Sequence, residues 1–204
     1  MCSSDLESEE SRELGLRIIT YLREKVDEFT EETHLNWSAY ATPAEGLSGK
    51  FIKKDQKTFG IIKGVTDKEY YTNSYHVPVG YPISIKRKID IEAPYHKLCN
   101  GGHISYIEVD DNPTADIIKD IIDYAFTNTN IGYMGVNFHI RYCKNCGESL
   151  HGSEIKCPKC GGMDIQGISR VTGYLSLDER FGPGKYNERK DRITHTNSHK
   201  NTYK

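Results

Sequence analysis

The chain has 204 residues, 36% of them hydrophobic and 27% charged, with a formal net charge of −2. That length supports one full core and a small appendage, and the balance suits a soluble folded protein rather than a disordered one. No apolar run approaches the ~18 residues of a membrane-crossing helix. The start, Met1-Cys2-Ser3-Ser4-Asp5, is acidic where a secretion signal is basic and then apolar.

Residues 1–10 read as a frayed acidic terminus. Leu14, Ile18, Leu22, Val26 and Phe29 then recur at helical spacing, with Arg17, Arg23, Glu24 and Glu28 on other faces, and Ser8 or Ser11 is placed to cap the start. Asn36 to Tyr40 reads as a short strand, and Thr42-Pro43-Ala44-Glu45 as a helix entry. Residues 53–75 are polar and tyrosine-rich, which predicts loops. Ile83 to Ile91 suits a short helix. Asn100-Gly101-Gly102 is a turn feeding a strand over 103–109. Pro113 opens a helix whose apolar face is Ile117, Ile118, Ile121, Ile122 and Tyr124, and a strand follows from Tyr133 to Phe138. Helices alternating with strands predict an α/β fold with parallel neighbours. The tail 185–204 holds six Lys/Arg against Glu188 and Asp191, a balance of +4, and is expected to be a solvated, partly ordered terminus.

Four of the six cysteines form two pairs, Cys143-x-x-Cys146 and Cys157-x-x-Cys160, with ten residues between them. Each pair lets two thiolates converge from a tight turn, and four thiolates saturate a tetrahedral Zn²⁺ with no open position, so the site is expected to be structural. Gly147, Gly161 and Gly162 suit such knuckles, while His151 in the loop is surplus to a complete ligand set. Iron in a rubredoxin-like site is the alternative metal. Disulfides are disfavoured because paired Cys-x-x-Cys knuckles without a secretion signal point to a reducing cytoplasm. The pairs alone also fit a zinc ribbon that binds nucleic acid, with the basic tail on phosphates.

Arg170-Val171-Thr172-Gly173-Tyr174-Leu175 lies just beyond these knuckles, with Gly173 13 residues after Cys160 and Asp178-x-Arg180-Phe181 following. The segment resembles the radical-bearing end of anaerobic (class III) ribonucleotide reductases. The resemblance continues in Tyr40-Ala41-Thr42-Pro43-Ala44-Glu45, in Tyr70 to Pro78, in Ala93-Pro94-Tyr95-His96, in Gly102 to Tyr106 and in Gly132-Tyr133. It runs in order over roughly 14–192.

The resemblance implies the C-terminal portion of a ten-stranded α/β barrel of the glycyl-radical type, with a small four-cysteine zinc module and a glycyl-radical loop. On that reading 11–140 is barrel, 141–166 the zinc module, 167–184 the loop and 185–204 a basic tail. It further implies that Gly173 stores a radical made by a radical-SAM activating enzyme, the partner that carries the iron–sulfur cluster and uses S-adenosylmethionine. The radical would pass to a cysteine thiol and then to a ribonucleoside triphosphate, with formate as reductant, in deoxyribonucleotide synthesis. Tyr75, His76, Tyr95 and His96 are candidates for the substrate pocket, with His103 weighed beside them. Cys99 and Cys2 are poor candidates for the thiyl residue. The N-terminal part of the reductase, carrying that cysteine, is therefore an expected partner, and the assembled enzyme is a possible dimer. A spare-part protein that restores an oxygen-cleaved reductase is the nearest alternative.

Overall fold

Helix α1 (Glu9–Thr33) starts where the Ser8 hydroxyl accepts from the Ser11 amide, and it stops at His34, whose φ of 55° turns the chain out of the helix. The coordinates are a computed structural model that describes residues 6, 8–41, 44–151, 154–171 and 173–195. Cys2, the Thr42-Pro43 helix entry, Thr172 and the tail from 196 lie outside the described residues, as do the side chains of Glu45 and His151.

The apolar stripe expected to bury α1 does not do so in this chain. Leu14, Leu22 and Phe29 are 50%, 48% and 54% exposed, while Ile19 is buried. The helix packs on α3 (Ile85–Leu98) through Ile19 and half-buried Leu16, and the stripe faces outward. Periodicity identified the helix but not which neighbour covers which face. The 53–75 loop is likewise corrected, because α2 (Glu45–Phe59) occupies its first part. Among the described residues of α2 only Ser48 and Ile52 are buried, so a one-sided helix rich in lysine reads as polar.

Helix α3 is the hub. Its Ile91 and Tyr95 join the core shared with α1, whereas Ile85, Ile89 and Ala93 join a second core with Ile107, Val109, Ile121, Ala125 and Ile131. It runs past the expected end at Ile91 and through Pro94, so burial of Ala93 and Tyr95 outweighs the one backbone bond that proline removes. Strand β1 (Ser105–Glu108), α4 (Ala115–Asn128) and β2 (Met134–Asn137) then form a β–α–β unit whose strands pair in parallel, Ser105 opposite Met134 through Glu108 opposite Asn137. Pro113 precedes the helix, and Thr114 caps it by accepting from the Ile117 amide. The strand expected at 36–40 shrinks to one parallel bridge, Tyr40 with Gly102, supported by the Gly101 amide donating to the Ala39 carbonyl.

The second sheet is antiparallel, in the order β4 (Ser149–His151), β3 (Ile140–Cys143), β5 (Ile165–Arg170), β6 (Leu175–Leu177). A 3₁₀ turn at Asp178–Arg180 leads to α5 (Pro183–Asp191). This last helix overturns the solvated-tail expectation for residues 185–195. Lys185, Glu188 and His195 are buried, and α5 crosses α2 with the backbones of Gly49 and Gly184 in contact. Among the described residues no helix is long and apolar enough to cross a membrane.

Candidate functional site

The four-cysteine module is built from two matching turns. Cys143 ends β3, and the Gly147 amide donates back to its carbonyl at 2.8 Å; the Gly161 amide does the same to Cys157 at 2.9 Å. Both glycines have φ near +75° (75° and 73°), a conformation that side chains resist. The turns bring Cys143 Sγ to 3.6 Å from Cys160 Sγ and Cys146 Sγ to 3.6 Å from Cys157 Sγ, with all four sulfurs within 4.8 Å of one another. A tetrahedral Zn²⁺ with bonds of ~2.3 Å needs sulfurs about 3.8 Å apart, so the four residues fit that ion. The close sulfur pairs stand well beyond the ~2.05 Å of a disulfide bond, so the arrangement is that of a ligand set. The Cys160 and Lys159 amides aimed at Cys157 hold its thiol down, to about 7. At Cys146 the Glu148 amide is outweighed by burial and the neighbouring sulfurs, which push that thiol up, to about 12, so Cys157 is the first of this pair to give the thiolate a metal takes. Leu150 and Ile165 form the small apolar floor beneath the cluster.

Strands β5 and β6 form a hairpin with Gly173 at its tip. Arg170 pairs with Leu175, and the Val171 amide donates to the Tyr174 carbonyl at 2.8 Å. Nothing among the described residues demands glycine at 173. Its φ lies outside the left-handed region, and a Cβ there would meet no atom within 4 Å. Gly173 is also exposed, so any shielding of it must come from outside the described residues. Arg170 anchors the hairpin base. Its guanidinium donates to Glu108 Oε1 on β1 at 2.9 Å and lies 3.5 Å above the Tyr106 ring. Burial alone would raise the Glu108 carboxyl, but Arg170 and Arg192 outweigh it and hold the group ionised, below its usual range.

Tyr75, His76, Tyr95 and His96 come together around His103. The Tyr75 and Tyr95 rings stack at 5.2 Å, His76 stacks on His103 at 5.2 Å, and His96 meets His103 edge-on at 4.6 Å. Burial keeps the histidines neutral: His96 falls to about 4, His103 to about 3, and His76 is lowered as well. His96 Nε2 lies 3.0 Å from Ser105 Oγ, and His76 Nδ1 lies 3.5 Å from Glu92 Oε2. Glu92 is wholly buried. Burial would raise it, yet Lys88 and His76 hold it well below the usual carboxylate range, and it also accepts from the Val77 amide at 2.9 Å. Both His103 ring nitrogens and the Tyr95 hydroxyl have no hydrogen-bond partner among the described residues. Cys99 caps α3 inside the apolar core, where burial pushes its thiol up, as suits a structural residue.

Sequence reasoning missed Lys88, Glu92, Glu108, Arg189 and Arg192. The one local signal was the three- and four-residue spacing of Lys185, Glu188 and Arg192, which reads equally as an exposed helix face.

A parallel β–α–β unit joined to a four-thiolate module and a glycine-tipped hairpin defines a mixed α/β protein with a metal-compatible cluster. The chain belongs to the anaerobic ribonucleoside-triphosphate reductase family, whose model matches residues 1–195. It is 40% identical over 199 residues to the anaerobic ribonucleoside-triphosphate reductase of Escherichia coli K12, covering 93% of this chain and 28% of that one. It is 38% identical over 194 residues to the enzyme of that name from Enterobacteria phage T4, covering 90% of this chain and 32% of the relative. The chain thus spans about a third or less of the relatives it matches. Among solved structures, an anaerobic ribonucleotide reductase superposes with a TM-score of 0.77 at 21% identity, covering 92% of this chain and 29% of that chain. The Thermotoga maritima enzyme in complex with dATP and CTP gives 0.69 at 23%, covering 91% and 29%. These likenesses establish the fold.

Proposed function

We propose that the chain is the radical-storing C-terminal component of an anaerobic ribonucleoside-triphosphate reductase. Gly173 loses one Cα hydrogen atom to a radical-SAM activating enzyme. The resulting radical takes a hydrogen atom from a cysteine thiol in the N-terminal part of the reductase, restoring glycine and leaving a thiyl. The thiyl takes the 3′-hydrogen of a ribonucleoside triphosphate, and formate supplies the two reducing electrons as the 2′-hydroxyl leaves as water.

The observation that carries this reading is the glycine itself. Among the described residues, 173 has neither a conformation nor a close contact that excludes a side chain, yet it sits at the tip of a hairpin pinned to β1. A residue free of side-chain constraint is explained by chemistry at its Cα, or by a close approach from a partner that its exposure invites. The uncovered stripe of α1 supplies a surface on which that partner can pack.

Tyr75, His76, Tyr95 and His96 serve in this proposal as the neutral floor of the substrate pocket. The unpaired His103 nitrogens and Tyr95 hydroxyl support it, because each buried polar atom left unpaired costs ~1–3 kcal/mol unless a ligand satisfies it. A structural zinc at Cys143, Cys146, Cys157 and Cys160 stiffens β5 at the end opposite the hairpin tip. The nucleic-acid reading loses support, since Lys185, Arg189 and Arg192 are engaged in internal ion pairs.

The test combines the chain with the N-terminal part of the reductase and the activating enzyme, under anaerobic reduction with S-adenosylmethionine. A glycyl EPR doublet is expected, absent in Gly173→Ala, while Gly173→Ala melts within about 1 kcal/mol of the parent because its Cβ enters open space. No doublet in the parent under these conditions removes the proposal.

A further inference from the structure

We infer that α5 and residues 192–195 are a releasable latch on the glycine hairpin, with Arg192 the positioning residue for Gly173. The inference deepens the radical-storing reading and rests on it.

The latch holds the hairpin at three points. Arg192 Nη2 donates to the Val171 carbonyl at 3.3 Å, two residues before Gly173. Arg189 Nε donates to Ser169 Oγ on β5 at 2.9 Å, and Arg189 Nη2 lies 2.5 Å from Asp178 Oδ2, just past β6, so one side chain grips both strands. On the other side the latch is fastened to the body. Tyr70 donates to Asp191 Oδ2 at 2.7 Å, and the Ile193 amide donates to the Val79 carbonyl at 3.1 Å. His195 and Glu108 exchange two bonds, the His195 amide to the Glu108 carbonyl at 2.9 Å and the Glu108 amide to His195 Nδ1 at 3.0 Å. Glu108 is also the acceptor for Arg170, so the hairpin base and the latch end on the same residue of β1.

The composition of this contact makes it releasable. The sequence of α5, PGKYNERKD, offers one large apolar side chain, Tyr186, and that is 42% exposed. Besides the Gly49–Gly184 backbone crossing, the helix is seated by the buried pair Lys185 and Glu188 with half-buried Arg192, and Lys185 and Glu188 border a cavity of about 30 Å³ that His76, Lys88 and Tyr106 also line. Polar contacts of this kind exchange for water on opening, whereas an apolar seat loses its full burial energy. Arg192 joins the two parts, since the same Nη2 reaches Glu188 Oε1 at 3.0 Å and the Val171 carbonyl.

The direct test is hydrogen–deuterium exchange on the chain itself. Arg192→Ala is expected to speed exchange of the 171–177 amides by about tenfold, the effect of one lost charge-assisted hydrogen bond, while amides 105–108 hold their rate. Arg192→Lys keeps the charge beside Glu188 but is too short to bridge to Val171, and it is expected to loosen the same amides. Should Arg192→Ala fail to fold, Arg192→Lys decides. Unchanged exchange at 171–177, or an equal rise at 105–108, overturns the latch. In the assembled, activated enzyme the variant is expected to keep the glycyl doublet amplitude and to lose kcat by about tenfold with KM unmoved. Loss of kcat and KM in parallel with fold stability indicates a merely structural role and overturns Arg192 as positioning residue. A parent without any doublet leaves the exchange result standing and counts against the radical reading alone.

Discussion

Replacing Gly184 by alanine is expected to destabilise the protein although alanine is the better helix residue. The new Cβ would stand 2.7 Å from the Gly49 Cα and 3.5 Å from the Glu69 carbonyl oxygen. Carbon atoms rest ~3.5–4.0 Å apart, so the overlap is near 1 Å and falls on backbone that no rotamer change can move. α2 and α5 must separate, and overpacking of this kind costs ~1–3 kcal/mol. The helix preference of alanine over glycine returns at most ~1 kcal/mol. The net loss is therefore about 1–2 kcal/mol, or a fall of roughly 5 °C in Tm for a chain of this size. Urea and thermal unfolding followed by circular dichroism measure it. Gly46→Ala is the control, since its Cβ meets nothing within 4 Å and the variant should be as stable as the parent or more so. A Gly184→Ala protein that melts at or above the parent, or a Gly46→Ala protein that falls as far, refutes the claim that this crossing seats α5.

Two further outcomes are expected. Elemental analysis should find one zinc per chain in the parent and less in Cys157→Ser, and chelation should raise amide exchange in β3 to β5 before β1 and β2; equal metal content in both proteins counts against the four-thiolate site. His195 adds an acid sensitivity. Burial lowers it to about 4 from 6.5, so below pH 6.5 the unfolded chain takes up a proton that the folded chain refuses until near pH 4, and stability is lost across that window. The share at pH 4.5 is about 2–3 kcal/mol, and His195→Asn should remove it, narrowing the difference in urea midpoint between pH 7 and pH 4.5. An unchanged difference refutes this.

The α4 helix, the parallel partners β1 and β2, and the two cysteine turns were legible because each is specified within a short stretch. Ile117, Ile121 and Ala125 share a face by helical repeat alone, and Cys143-x-x-Cys146 converges through its own turn. The cluster of Tyr75, His76, Tyr95 and His96 was legible only as a resemblance. The stacking that unites it runs through His103, and distance between rings is not a sequence property. Other expectations failed where burial depends on partners far along the chain. α1 carries an apolar repeat yet leaves it exposed, the start of the 53–75 stretch looks like a polar loop yet continues α2, and the basic tail looks solvated yet buries Lys185. Composition and local spacing determined which helices, strands and metal turns this protein can make, because those follow from backbone periodicity and ligand reach. Tertiary structure alone decided that Arg170 meets Glu108 across 62 positions and that Arg192 reaches back 21 to Val171, because an ion pair is set by distance in space and carries no periodic signature.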